Sequence, residues 1–236
     1  MWPPCSKSFR VPHNKTAVIM VEPITYGGVN EQVLTHVPRT VRTVLDIGCG
    51  SGELGRKIKE EIVCQVVGIT FSEAEAELAS RCLDEVLVRD LNNFDAGEVG
   101  QFDCIICSHV LEHIYQPDQL LRRLRGKLTP GGTMIVALPN VLHWRQRMEF
   151  LLGRFKYTEG GLMDRTHYRF FDWTTASELL TSSGYAIVKA EAHGTFPLSR
   201  FLSRPGGWLD RASMKRFPGL FGFQFVFICN PDSSTQ

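Results

Sequence analysis

The sequence has no uninterrupted apolar run near the roughly eighteen residues that a membrane-crossing helix needs, and it contains no internal repeat or low-complexity tract. It also lacks a surplus of charge: 26 Lys and Arg stand against 25 Asp and Glu, for a formal net charge of +1. Tight binding to a phosphate backbone draws on clustered cations that displace counterions, so this balance argues against a nucleic-acid partner. The first ten residues hold two prolines and two charges where a secretory leader would place its apolar core, which reads as a cytoplasmic protein. Cysteines are present but odd in number (Cys5, Cys49, Cys64, Cys82, Cys104, Cys107 and Cys229), and most sit in apolar, strand-like contexts, as reduced core thiols do. Cys104 and Cys107 have CxxC spacing, yet both fall in one strand-like run, where a period of two turns them to opposite faces and excludes a zinc knuckle.

What is present is enough for one domain with a sizeable core: 236 residues, 43% of them hydrophobic. From residue 41 onward apolar runs alternate with amphipathic stretches, the pattern of a parallel sheet built from βα units. Strands are expected at 41–47, 65–69, 85–88, 102–107 and 133–138, with helices at 53–61, 73–82 and 118–128. Thr129, Pro130, Gly131 and Gly132 read as a helix stop and turn before the fifth strand. After Asn140 the rhythm gives way to aromatic and charged residues, then a helix at 175–183, a strand at 185–190 and a closing strand at 221–229. This predicts an α/β, Rossmann-like architecture.

The stretch 44–52, VLDIGCGSG, is the most informative. An apolar strand runs through Asp46 into Gly48, Gly50 and Gly52, and a helix opens at Glu53. Glycine permits left-handed dihedrals and lets backbone approach a ligand closely. A pyrophosphate would favour bare helix amides, whereas acids on both sides of the turn suit a ligand carrying an ammonium and a sulfonium. No Lys-Ser or Lys-Thr follows the glycines, which excludes a Walker phosphate loop.

These residues resemble the class I S-adenosylmethionine-dependent methyltransferases, and the resemblance extends over about 41–190. VVGITFSEAEAELA (66–79), RDL (89–91), FDCIICSHVLEH (102–113) and LTPGGTMIVALPN (128–140) follow in the family's order. The resemblance implies a mostly parallel seven-stranded sheet with helices on both faces, and S-adenosyl-L-methionine as cofactor. It implies an N-terminal cap segment, 1–40, and a methyltransferase domain, 41–236, with cap insertions at 140–172 and 194–220. It implies that Gly48, Cys49, Gly50 and Gly52 approach the methionine part, with Asp46 organising the loop and the amino group. Asp90 and the Leu91 amide would then take the adenine, beside Phe71, and Ser108 or His109 would lie at the methionine end. Tyr26 would close over the cofactor from the N-terminal segment. Where the family carries an acid for the ribose, this chain has Thr70; either Thr70 takes that role, with Glu73 as a substitute acid, or it caps the next helix with Ser72.

Three histidine contexts bear on the chemistry. His109, Glu112 and His113 are spaced i, i+3, i+4; in the ubiquinone-type O-methyltransferases this region resembles, the trio is Glu, Glu, His and is associated with a divalent metal. No metal is assigned here, since His109 replaces the first acid. His167, after Asp164 and Arg165, lies where the resemblance brings a histidine over the acceptor, as general base or clamp; otherwise Asp164 and Arg165 form a structural ion pair at a hinge, with Phe170 and Phe171 as anchors. His143 and Trp144, with Arg145 and Arg147, read either as a clamp for an anionic or aromatic substrate or, foremost, as the start of an amphipathic helix with Trp144, Met148, Phe150 and Leu151 packed inward. The insertion 194–220, with Phe196, Phe201, Trp208, Phe217, Arg200, Arg204, Arg211 and Arg216, is expected to line a substrate pocket or to form a homodimer contact.

The sequence therefore points to O-methylation of a small-molecule acceptor, with His167, His109 and His113 as catalytic candidates. The alternative is a non-catalytic S-adenosylmethionine-binding regulator or scaffold. A nicotinamide oxidoreductase shares the glycine turn but gives no role to the acid before it or to RDL and LEH.

Overall fold

The computed structural model describes residues 28–197 and 206–232. Tyr26, Cys5, most of the segment 1–40, and Arg200, Phe201 and Arg204 lie outside the described residues. The described elements are, in order, α1 (Glu31–Leu34), β1 (Thr43–Ile47), α2 (Glu53–Glu61), β2 (Gln65–Thr70), α3 (Glu73–Ala79), β3 (Glu85–Val88), β4 (Phe102–Ser108), α4 (Pro117–Arg125), β5 (Leu128–Pro139), α5 (Trp144–Leu151), α6 (Trp173–Ser182), β6 (Tyr185–Gly194), α7 (Gly206–Arg216), α8 (Pro218–Phe221) and β7 (Gly222–Pro231).

Seven strands form one sheet in the order β3-β2-β1-β4-β5-β7-β6. All neighbours are parallel except β7, which runs antiparallel to both β5 and β6. The strands are apolar almost throughout because both faces are covered. On one face Leu45, Ile47, Ile105, Cys107, Met134, Val136 and Leu138 pack with Leu120, Leu121 and Leu124 of α4 and Ala176 and Leu180 of α6. On the other Val44, Cys104, Ile106, Ile135, Ala137 and Val226 pack with Val33 and Leu34 of α1, Leu54 and Ile58 of α2 and Ala79 of α3. Cys104 and Cys107 fall on opposite faces, as the strand period requires, and the described cysteines are free. No described helix is long and apolar enough to cross a membrane.

Two boundaries depart from the sequence reading for local reasons. The fourth helix stops at Arg125, capped by Gly126, and β5 starts at Leu128. Thr129, Pro130, Gly131 and Gly132 are not a turn before the strand but an irregularity within it: the pairing with β4 shifts between Phe102 and Cys104, and Gly131 takes up the distortion at φ +82°. The sixth helix begins at Trp173 because Asp172 and Thr175 form a reciprocal capping box, with Thr175 N donating to Asp172 Oδ1 at 2.8 Å.

After β3 the chain crosses to the far side of β1 to lay down β4. This switch in direction leaves a crevice at the carboxyl ends of β1 and β4, where ligands bind in open α/β sheets.

Candidate functional site

The crevice is floored by the turn that leaves β1. Gly48, Gly50 and Gly52 have φ of +75°, +52° and +82°, a left-handed path that side chains resist. The amides of Gly48 and Cys49 both donate to Ile69 O, at 2.8 and 2.9 Å, tying the turn to the end of β2. A Cβ on Gly48 would come 2.7 Å from Val110 Cγ2, and one on Gly52 would meet Ala79 Cα at 3.0 Å. These glycines are thus required for dihedral and packing reasons before any ligand is considered. Asp46 is 2% exposed, and its Oδ2 has no hydrogen-bond partner among the described residues. Burial alone pushes its carboxyl up to about 7.

A cavity of about 330 Å³ opens above this turn. Asp46, Gly48 and Cys49 line its floor, Ser108 and His109 its β4 wall, and His113, Asp164 and His167 its cover. The Cys49 thiol is turned inward, against Gly68. Asn30, just before α1, donates to Ser108 Oγ at 3.2 Å and to Gln224 Oε1 at 3.0 Å. His109 has the one positive φ outside glycine among the described residues, +53°. Its ring spans Gln224 Oε1 at 2.7 Å and Glu112 Oε1 at 3.4 Å. Desolvation opposes protonation of this ring, but the hydrogen bond and charge of Glu112, with Gln224, outweigh it and raise the pKa above the ordinary histidine value.

The cover is pinned to the turn after β4, since the amides of Tyr168 and Arg169 both donate to Glu112 O, at 2.8 and 3.1 Å. This places the His167 ring edge-on to His113, centroids 4.8 Å apart. Donor atoms of Glu112, His113 and His167 lie within 4.8 Å of one another, a set able to hold a divalent ion. His113 Nδ1 lies 3.2 Å from Thr166 O, and Asp164 Oδ1 accepts from Thr166 N at 2.8 Å. Burial, the largest influence, lowers the His167 pKa, and its Nδ1 is buried without a hydrogen-bond partner among the described residues.

Comparison with known proteins settles the family. A model of the methyltransferase domain matches residues 29–190, more than half of the chain. The chain belongs to the methyltransferase-domain family. It is 30% identical over 105 residues to a ubiquinone biosynthesis O-methyltransferase of Pseudomonas paraeruginosa, an overlap that takes in 42% of this chain and 45% of the relative. The chain thus spans about half the length of the curated relatives it matches. Its fold is similar to a SAM-dependent methyltransferase from Archaeoglobus fulgidus, with TM-score 0.59 and 21% identity over 81% of this chain and 86% of that one. It is also similar to the plantazolicin methyltransferase in complex with SAH, with TM-score 0.55 and 19% identity over 85% and 80%.

S-adenosylmethionine is the cofactor of this methyltransferase fold, and the residues present fit it. The orphaned, buried Asp46 Oδ2 beside a left-handed glycine turn is a place for a cation, whose charge would draw the carboxyl back down. Of the sequence-derived residues, the structure gathers Asp46, Gly48, Cys49, Ser108, His109, His113 and His167 around one cavity. Gly50, Gly52, Thr70, Phe71, Asp90 and Leu91 do not line it. Phe71 stands 78% exposed just past β2. Asp90 is held by its own loop, accepting from Asn92 N at 3.0 Å and Asn93 Nδ2 at 2.8 Å, which keeps it below the usual carboxylate range.

Some readings are refined and others corrected. Thr70 Oγ1 donates to Glu75 Oε2 at 2.6 Å, while Glu73 faces solvent. Thr70 also joins the start of α3 as the cap alternative expected: its Oγ1 accepts from Ser72 N at 3.4 Å, and Ser72, the cap residue, accepts from Glu75 N. The Arg165 guanidinium pairs with Glu159, while Asp164 is buried and accepts from Thr166. Phe171 is a buried anchor, but Phe170 is only half-buried, edge-on to His167. The inward face expected of Trp144, Met148, Phe150 and Leu151 is not formed: Met148 and Leu151 are exposed, and Trp144 and Phe150 are only half-buried. Of the insertion 194–220, Phe196 lines a second cavity of about 550 Å³ with His143, Trp144 and Arg145; it meets the first at Leu162 and Phe223. Asn30, Glu75 and Gln224 were not singled out by sequence, because each acts through a partner remote in the chain or a helical turn away.

Proposed function

We propose that the chain transfers the methyl group of S-adenosylmethionine to an oxygen of a small-molecule acceptor, with His167 as general base. The observation that carries this reading is the single cavity in which Asp46 and the glycine turn face His113 of the turn after β4 and His167 of the cover. When bound, the cofactor supplies an electrophilic methyl carbon on a good leaving group. The chain's own part is to bind, to align and to exclude water. Asp46 would take the ammonium; Thr70 with Glu75 would hold the ribose, the carboxylate coming from α3 instead of from the end of β2; and Asp90, the Leu91 amide and Phe71 would hold the adenine. His167, kept neutral by burial, accepts the hydroxyl proton, and the nearby Glu112 and Asp164 charges favour the imidazolium that results. The acceptor enters from the second cavity, past Trp144, Arg145 and Phe196. Oxygen as the acceptor atom is supported by the relatives named as O-methyltransferases.

Calorimetric titration with S-adenosylmethionine, S-adenosylhomocysteine and NAD, followed by a homocysteine-release assay on phenols and amines, tests the reading. Binding of the adenosyl ligands alone and turnover with phenols is the expected result. Turnover with amines only would overturn the oxygen assignment, and adenosyl ligands that fail to bind would overturn the donor assignment. A second reading is favoured by the clustering of Glu112, His113 and His167: these residues hold a divalent ion that positions the acceptor oxygen. Turnover abolished by a chelator and restored by the metal would select it over the base.

A further inference from the structure

Methyl transfer leaves one polar cluster unused. Helix α1 packs Val33 and Leu34 against the sheet face that carries Val226 of β7. Before α1, Asn30 reaches Gln224 of β7; after it, His36 Nε2 lies 2.9 Å from Glu191 Oε2 of β6. The pairing of Glu191 with Val226 and of His193 with Gln224 puts both β6 residues on that same face. His193 Nε2 lies 3.5 Å from the same Glu191 Oε2, sealed from solvent and without a hydrogen bond among the described residues. The other carboxylate oxygen, Oε1, is taken by Lys189 Nζ at 2.8 Å, which leaves Oε2 directed at the two imidazoles. The three donor atoms all lie within 4.8 Å of one another.

We propose that His36, Glu191 and His193 form a binding site for a divalent transition-metal ion of the zinc class. Two imidazoles and a carboxylate are borderline nitrogen and oxygen donors that suit such an ion. With bonds of about 2.0–2.1 Å, tetrahedral ligand atoms stand about 3.4 Å apart, and the observed 2.9 and 3.5 Å bracket that spacing. A carboxylate and two neutral imidazoles are the forms that bind such an ion, and Lys189 Nζ on Glu191 Oε1 leaves Oε2 free to face it. On binding, the ion takes the place of any proton between His36 Nε2 and Glu191 Oε2, which passes to Nδ1 of the same ring or to solvent; no redox partner is needed. The ion gives His193 Nε2 the partner it lacks. It also fastens the end of α1 to the edge strand β6, across a separation of 155 residues, while the other end carries Asn30 to the cofactor cavity. The site departs from the sequence-based expectation of no metal, which considered only the histidines near β4.

The test is titration of chelator-treated full-length protein with Co²⁺, read by visible absorption, and with Zn²⁺, read by calorimetry and thermal unfolding. One equivalent should bind in a His113→Ala/His167→Ala double variant, which dismantles the other donor cluster, and at least one in the wild type, a second there belonging to that cluster; Zn²⁺ should raise Tm in both. His193→Ala and His36→Gln should each weaken this binding by more than the roughly 10–100-fold that loss of an outer-shell partner costs, and abolish the rise in Tm. Binding unchanged in His193→Ala, binding lost only in the double variant, or no binding at all would each overturn the assignment. Should His36→Gln fail to fold, His193→Ala, on an edge strand, decides alone.

Discussion

The floor and the cover of the cavity are built on different physics. The floor consists of strand ends: Val44, Leu45, Asp46 and Ile47 are all buried, and the turn beyond them is locked by Gly48 against Val110 and by two amides on Ile69 O. The cover, 140–172, is tied down by hydrogen bonds to main-chain oxygens, with Phe171 buried beneath it: Tyr168 N and Arg169 N to Glu112 O, Val141 N to Phe171 O, and the Arg169 guanidinium to Tyr115 O. The floor is packed and carries a buried carboxyl with one unpartnered oxygen; the cover positions His167 through its backbone and leaves much of its helix α5 exposed. Recognition of a constant ligand is therefore invested in packed core, and recognition of the acceptor in a segment free to vary.

The sharpest way to break the floor is Gly48→Val. A β-branched residue at φ +75° whose Cβ meets Val110 at 2.7 Å must shift the turn, and the expected result is loss of measurable S-adenosylmethionine binding with a stability loss of roughly 2–4 kcal/mol. Calorimetry and denaturant unfolding read both. The cover breaks differently: His167→Ala should leave cofactor affinity unchanged while turnover falls by about 10²–10⁴-fold. Because burial depresses the His167 pKa, the base is in its active form through neutrality, and the acid limb of the wild-type rate profile should fall below about pH 6.5. An unaltered limb in His167→Gln would remove the residue from the base role.

Asp46→Asn separates binding from stability within the floor itself. Asp46 is held up to about 7 in the fold against an ordinary value of 3.8. As pH rises through the ordinary value, the unfolded chain sheds this proton and the folded one keeps it, so stability falls from about pH 4 to about pH 7 and is level above. Three units correspond to on the order of 4 kcal/mol as an upper figure. The variant should abolish that slope and raise the apoprotein's stability above pH 7, while cofactor affinity drops roughly 10–100-fold for loss of the charged partner. Thermal unfolding across pH, with and without S-adenosylmethionine, reads both effects, and a variant less stable than wild type at pH 8 would contradict the buried-acid account.

Legibility in the sequence follows the same division. Strands covered on both faces read as apolar runs, so β1 to β4 lie within two residues of where the pattern puts them, and the glycine turn announces itself by dihedral need. The start of β5 was hidden because Thr-Pro-Gly-Gly is turn chemistry used here inside a strand. Glu75 was hidden because its approach to Thr70 depends on how α3 leaves Ser72, which spacing does not express. The pairing of His36 with Glu191 joins residues that only the completed sheet brings together.

Helix α5 gives the converse lesson and the smallest effect. Trp144, Met148, Phe150 and Leu151 have the spacing of an inward face, but periodicity presupposes a core beneath the helix, and among the described residues it covers this face only in part: Trp144 and Phe150 are half-buried, whereas Leu151 is 79% and Met148 50% exposed. A side chain that leaves little water behind on folding contributes little to stability. Leu151→Ser should therefore change unfolding free energy by no more than about 0.5 kcal/mol, where burial of that leucine in a core would have made the change several-fold larger. The same substitution should leave cofactor affinity untouched, since no atom of α5 beyond Gln146 lines either cavity. A loss of a kcal/mol or more in denaturant unfolding would mean that α5 is covered in solution, and the division between a packed floor and a free-standing cover would then fail at this helix.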